Sequence, residues 1–229
     1  MHPQLPRAGA AFVVTLGLAI TACSSDQEAT PASRSTTTTA PSVDDSVEPF
    51  CDAYLELSRA VSGPPSDDID VAALAADLEA KAPADLRADV ATFLEVGQRA
   101  ASTEDEQLFV SDEYRDPARA VDAFVAGSCG RTVVEVSAVD HGFVGVPSTL
   151  PAGPAMFHFV NEGAELHEGI LLRPAEGVAG DPVELVNADP SGDSGDLEEV
   201  GVAYIGPAGD EAYLSADLEP GAYVLVCFF

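Results

Sequence analysis

The spacing of apolar residues changes near residue 131, and this change divides the chain into two kinds of structure. Before it, apolar side chains recur every three or four residues, which is the spacing of one helix face. After it, they alternate with polar residues at every second position, as in strands that bury one face. We therefore expect an α + β two-domain chain, with a helical domain over residues 44–130 and an all-β domain over 131–229.

The first part contains four stretches with a helical stripe. Asp116 followed by Pro117 predicts the start of the fourth helix, because Asp caps a helix and Pro suits its first position. The expected fold is a small four-helix bundle. It contains no His, and its acidic residues are expected at solvent-facing positions, so we expect a spacer or protein-contact module. The stripes comprise Val47, Phe50, Tyr54, Leu57 and Val61; Val71, Leu74 and Leu78; Leu86, Val90, Phe93 and Gly97; and Val121, Phe124 and Val125.

The second part reads as short strands separated by turns. In "GPAMFHFVNEG", Phe157 and Phe159 alternate with Met156, His158 and Val160, so the two sets face opposite sides of a strand. Further strands are predicted in "TVVEVSAVD", "HEGILLR", "GVAYIG", "EAYLSADL" and the final "AYVLVCFF". Short strands with frequent turns over about a hundred residues predict a β-sandwich or barrel.

The charge of the chain excludes one class of partner. Ten basic residues stand against 39 acidic ones, which gives a formal net charge of −29. Such a surface repels phosphate backbones, so we expect no nucleic-acid partner.

The first 22 residues are predicted to be a lipoprotein signal peptide. A basic start with Arg7 precedes "AGAAFVVTLGLAI", which is apolar but too short to span a bilayer comfortably. The following "AITAC" resembles the bacterial lipobox, in which the signal is cleaved before the cysteine and that cysteine is lipidated. The resemblance implies a lipid on Cys23 and an anchor at the outer face of the cell membrane. An ordinary secretory signal cleaved nearby is the alternative.

Residues 23–43 are rich in Ser, Thr and Pro and contain almost nothing to bury. This composition predicts a disordered tether that holds the folded part away from the membrane.

The cysteines then divide into three roles. A location outside the cytoplasm permits disulfides. Cys51 lies near the start of the first predicted helix and Cys129 at the end of the fourth, so we predict a bond between them. Cys227 is left over, and an odd cysteine in a secreted protein needs an explanation.

Two segments of the second part carry recognisable motifs. "FVNEGAELHEG" has Asn161 six residues before His167, and "GAYVLVC" ends at Cys227 in a Gly-x-Tyr-x-Leu-x-Cys pattern. Both segments resemble the cupredoxin family of plastocyanin-type blue copper proteins. The resemblance covers residues 131–229 and implies a cupredoxin-like sandwich with His167 and Cys227 as copper ligands. Sites of this class use two imidazoles and one thiolate, with a long axial thioether.

The ligand set implied by this resemblance is incomplete. Cupredoxins place a second His and an axial Met soon after the Cys, and no His or Met follows Cys227. His141 lies in a predicted turn and is a further candidate, whereas His158 and Met156 lie within a strand. Three explanations stay open: the protein continues beyond residue 229, the fold persists without metal, or copper binds through His167 and Cys227 with outside ligands.

No enzyme is expected. The sequence has no Gly-x-Ser-x-Gly, P-loop, dinucleotide fingerprint, HExxH or CxxC motif. The first hypothesis is a copper-binding or one-electron-transfer lipoprotein whose redox partner is unknown. The second is a metal-free structural, ligand-binding or protein-binding lipoprotein that keeps the cupredoxin fold.

Overall fold

The computed structural model describes residues 46–62, 68–190 and 194–228. The predicted signal peptide, the tether and Cys23 lie outside these ranges. Within them the chain is α + β, with five α-helices, two β-sheets and one disulfide. Across the same ranges, none of the helices combines the length and the apolar character that crossing a membrane requires.

Four helices come first and share one apolar core. Phe50 of the first helix meets Phe124 of the fourth edge-on, with ring centroids 5.7 Å apart. Asp70 caps the second helix by accepting a hydrogen bond from the backbone N–H of Ala73 at 3.0 Å. The helices are α1 (Glu48–Ser62), α2 (Val71–Lys81), α3 (Arg87–Thr103) and α4 (Asp112–Ser128), with a short 3₁₀ turn at Glu106–Leu108.

Helix α4 begins earlier than the sequence predicted. The carbonyl of Ser111 accepts hydrogen bonds from the N–H groups of Tyr114 and Arg115, at 3.1 and 2.9 Å. These bonds start the helix one turn before Asp116, so the prediction of an Asp116 cap is wrong. Pro117 consequently lies inside the helix.

The four helices form a layer on a sheet, and a four-helix bundle is not confirmed. Helix α1 packs on α2 and α3 packs on α4, while both α1 and α4 contact a strand of the sheet. Met156, which comes from a strand, is fully buried in the helical core. The helices therefore bury their apolar faces partly against the sheet.

Two sheets follow and face each other as a sandwich. One has the order β2-β1-β3-β6, in which β1 and β3 are parallel and the other pairs are antiparallel. The other has the antiparallel order β5-β4-β7. The elements are β1 (Thr132–Val139), β2 (Gly142–Val144), β3 (Gly153–Asn161), β4 (His167–Pro174), α5 (Pro182–Ala188), β5 (Leu197–Ile205), β6 (Glu211–Leu218) and β7 (Val224–Val226).

Strand β3 separates the two cores, and its side chains face opposite sides as the alternation in its sequence predicted. Phe157 and Phe159 point into the core between the sheets, whereas Met156 points into the helical core. A strand buried on both faces explains why this segment is apolar at nearly every position.

Gly169 in β4 provides a test of packing between the sheets. A Cβ atom at this position would lie 2.8 Å from the ring of Phe159, which is fully buried. We expect Gly169→Ala to lower the free energy of unfolding by about 1–3 kcal/mol, since overpacking forces the core to shift. Urea denaturation followed by circular dichroism measures this.

Gly127 supplies the matched control for that substitution. It is an exposed residue of α4, and a Cβ there would meet nothing within 4 Å. Gly127→Ala should leave the stability unchanged or raise it by up to about 1 kcal/mol, because Ala favours a helix. An equal loss in both variants would contradict the packing explanation.

Candidate metal centre

His167 and Cys227, the two ligands implied by the sequence, lie side by side at one end of the sandwich. His167 is the first residue of β4, and Cys227 directly follows β7. These two strands are antiparallel, with Ile170 opposite Val226, so the start of β4 meets the end of β7. The distance from His167 Nδ1 to Cys227 Sγ is 3.9 Å. Residues 60 positions apart thus share one small region.

The imidazole of His167 is held in a largely apolar setting. The residue is 3 % exposed, and the ring of Phe143 lies 6.3 Å from its ring, centroid to centroid. Its Nε2 atom is buried and has no hydrogen-bond partner among the described residues. A buried polar atom without a partner is uncommon and costs free energy. The Nδ1 atom of the same ring faces the Cys227 sulfur, so the imidazole and the thiol are in direct contact.

Cys227 is the one free cysteine in the described ranges, and its sulfur has a polar contact. The backbone N–H of Glu168 donates to Sγ at 3.4 Å. Cysteine binds metals through its sulfur, and this sulfur is held in place by the backbone donor. Tyr223, Leu225 and Cys227 share the face that packs on the core between the sheets.

The loop before His167 is fixed by Asn161, a residue whose role the sequence did not reveal. Asn161 is 2 % exposed, and its Nδ2 donates to the carbonyls of Glu165 and Gly206, both at 2.7 Å. Its Oδ1 accepts from the N–H of Gly163 at 2.9 Å. Three bonds from one side chain therefore set the path of the chain into His167.

Asp140 holds the same loop from the β1–β2 turn. Its Oδ1 accepts from the N–H groups of Ala164 and Glu165, at 2.7 and 3.3 Å. These two donors lower the pKa of the Asp140 carboxyl below its usual value. In the sequence, only the turn pattern "VDHG" indicates a structural role for Asp140.

The 3.9 Å distance between His167 Nδ1 and Cys227 Sγ is short enough for both side chains to contact the same small ion. Imidazole and thiolate are both ligand types that copper accepts, so these two residues would hold such an ion and leave its remaining positions to other groups.

A third protein ligand is not in place. Among the described residues no group of three or more His, Cys, Asp or Glu side chains could hold a metal ion. His141 is largely exposed, with φ of 70°, and its Nδ1 lies 3.9 Å from a carboxylate oxygen of Glu165. His158 points to the helical side of the sheet, where its ring stacks on Tyr213 at 4.5 Å. Met156 is also on that side, in the helical core.

Comparisons with known proteins leave the family open. No protein-family model matches the chain, and no curated protein matches it. Among solved structures, it is similar to sodium-dithionite-reduced auracyanin from the photosynthetic bacterium Roseiflexus castenholzii, with 17% identity over 43% of this chain and 85% of that one. The TM-score is 0.32, so this likeness does not assign the chain to a family.

Proposed function

We propose that this protein binds one copper ion between His167 and Cys227 and exchanges single electrons through it. One observation carries the proposal: a buried imidazole nitrogen lies 3.9 Å from a free cysteine sulfur, with a chain separation of 60 residues. Both atoms are on a rigid sandwich, which limits the change in geometry between two redox states of a bound ion.

The ligand chemistry favours copper over harder cations. Thiolate is a soft ligand that selects copper, zinc or iron–sulfur centres, and imidazole suits copper and zinc. Bound copper would supply the one-electron chemistry. His167 and Cys227 would fill two coordination positions, and the others would be filled by solvent, by an exogenous ligand or by groups outside the described residues.

The proposed location is the outer face of the cell membrane. The lipobox-like "AITAC" would place a lipid on Cys23, and the tether would separate the folded part from the bilayer. The Cys51–Cys129 disulfide is compatible with this compartment. The protein would present a strongly acidic surface to its redox partner, so a partner with a basic surface would bind it best.

Copper titration tests the proposal. In a Cys23→Ser background, Cys227 is the only thiol outside the disulfide. We expect copper(II) to give a visible thiolate-to-copper absorption band at one ion per chain. His167→Ala and Cys227→Ser should each abolish the band, because each removes one of the two ligands.

His141 provides the matched control for His167. It lies at the same end of the sandwich, and Asn tolerates its positive φ. His141→Asn should leave the band and the stoichiometry unchanged. A band that survives Cys227→Ser would show that the sulfur is not a ligand and would contradict the proposal.

The second candidate function is a metal-free binding lipoprotein. It is favoured by the finding that the residues in the described ranges form no cluster of three ligands. Under this function, copper(II) would give no band with the folded wild-type chain, and His167 and Cys227 would serve only in packing.

A further inference from the structure

A cavity of about 310 Å³ lies between the helical layer and the sandwich. Helix α4 forms one wall, and strands β5 and β6, an edge strand from each sheet, form the other. The volume is at the lower end of the range for small-molecule sites. The residues that line the cavity do not include His167 or Cys227.

The tyrosine rings in the wall of this cavity are held in place by contacts with other rings. Tyr114 of α4 packs against Phe93 and Phe109, with ring centroids 5.5 and 5.1 Å away. Tyr213 of β6 stacks on His158 at 4.5 Å, with the two ring planes 12° apart. Rings fixed in this way form a surface that needs little reordering when a ligand enters.

The charges around the cavity favour a cation. The two guanidinium groups in its wall are already paired: Arg115 with Asp210, and Arg119 with Asp210 and Asp116. Asp122 is half-buried at the cavity wall, where its Oδ1 accepts a 2.6 Å hydrogen bond from the hydroxyl of Tyr54. The carboxylate of Glu211 is the other acidic group in the wall.

We propose that this cavity binds a small organic cation, a substituted ammonium group, with its charge against Asp122 and its alkyl or aryl groups against the tyrosine rings. Aromatic faces attract such cations, and the attraction strengthens when water is excluded. The carboxylate adds direct charge pairing, and the net charge of −29 attracts cations from a distance.

The ionisation of Asp122 supports this arrangement. Burial raises the pKa of its carboxyl from 3.8 to about 7, and the hydrogen bond from Tyr54 opposes this rise. A cation that enters would relieve the cost of holding a charge there. Binding should therefore strengthen as pH rises through about 7, where Asp122 loses its proton.

Calorimetry with three probes of similar shape tests the proposal on the purified full chain. The probes are benzyltrimethylammonium, benzyl alcohol and phenylacetate, which carry positive, zero and negative charge. We expect only the ammonium ion to bind, and Asp122→Asn to weaken its binding by about tenfold. Asp112→Asn, the same change at an exposed position of α4 outside the cavity wall, should have no effect.

The pH dependence keeps the proposal testable if Asp122→Asn does not fold. Benzyltrimethylammonium carries a permanent charge, so a change in its affinity between pH 6 and 8 reports on the protein. Benzyltrimethylammonium should bind to the wild type more tightly at pH 8 than at pH 6. In a folded Asp122→Asn variant, this pH dependence should disappear. A pH dependence caused by another titratable group would remain in the variant. The groups around the cavity are Tyr54 on α1, Tyr114, Arg115 and Arg119 on α4, Tyr204 on β5, Glu211 and Tyr213 on β6, and His158 behind Tyr213.

Three results would overturn the proposal. They are no binding of the ammonium probe, equal binding of phenylacetate, and an affinity that is unchanged in folded Asp122→Asn.

Discussion

Replacing Cys51 and Cys129 together by Ala is expected to lower the free energy of unfolding by about 4 kcal/mol. The two residues are 78 positions apart, with their Cα atoms at 5.4 Å, so the disulfide closes a long loop. In the chain-entropy model, a cross-link of this length removes many conformations from the unfolded chain. The bond also joins the first turn of α1 to the residue after α4, so it closes the whole helical layer.

Urea denaturation measures this loss. The chain contains no Trp, so far-UV circular dichroism is the suitable signal. Cys227→Ser is the matched control, because it removes a sulfur that cross-links nothing in the described ranges. A double variant that unfolds at the same urea concentration as the wild type would contradict the expected stabilisation.

Much of the β fold could be predicted from local patterns. Alternation within β1 and β3 predicted these two strands, and the "GPAGD" turn separated the predicted strands β5 and β6 from each other. The short strand β2 and helix α5 were not predicted, because three residues and seven residues carry too little periodicity to be recognised.

The packing of helices on the sheet could not be predicted, because it depends on contacts between distant residues. The apolar character of Met156 would suit burial between the two sheets as well as burial between the sheet and the helices. The parallel pairing of β1 with β3 is also invisible in either strand alone. For the same reason, a stripe of apolar residues predicted each helix but not what its apolar face would meet.

The candidate site shows the same division between local and distant information. The resemblance of the motifs around His167 and Cys227 to the cupredoxin family predicted that these residues would meet, and the structure places His167 Nδ1 3.9 Å from Cys227 Sγ. Asn161 was recognised only as part of a motif, whereas its three hydrogen bonds show that it fixes the loop. Its partner Gly206 could not be deduced from the sequence, because it is 45 residues away.

The turn that contains Gly206 is also tied to the helical layer, through Asp210. Its carboxylate is paired with Arg115 and with Arg119, and it accepts from the N–H of Gly206 at 2.9 Å. The Asp210 side chain is 11% exposed and that of Arg115 is 15% exposed, so this pair is largely removed from water. The carbonyl of Asp210 in turn accepts from the N–H of Asn161 at 2.9 Å. The β5–β6 turn thus lies between α4 and the loop that leads to His167.

Asp210→Ala should therefore cost about 3–5 kcal/mol, because removing one partner of a buried pair leaves an uncompensated charge. Replacing both members by apolar residues, as in Asp210→Leu with Arg115→Met, should cost less than the single change for the same reason. Glu113→Ala is the matched control, since Glu113 pairs with Arg99 on α3 at an exposed position. That change should cost less than about 1 kcal/mol. If urea denaturation shows equal losses for Asp210→Ala and Glu113→Ala, the turn is not anchored to α4 by charge, and its backbone hydrogen bonds and the flanking strands must fix its position.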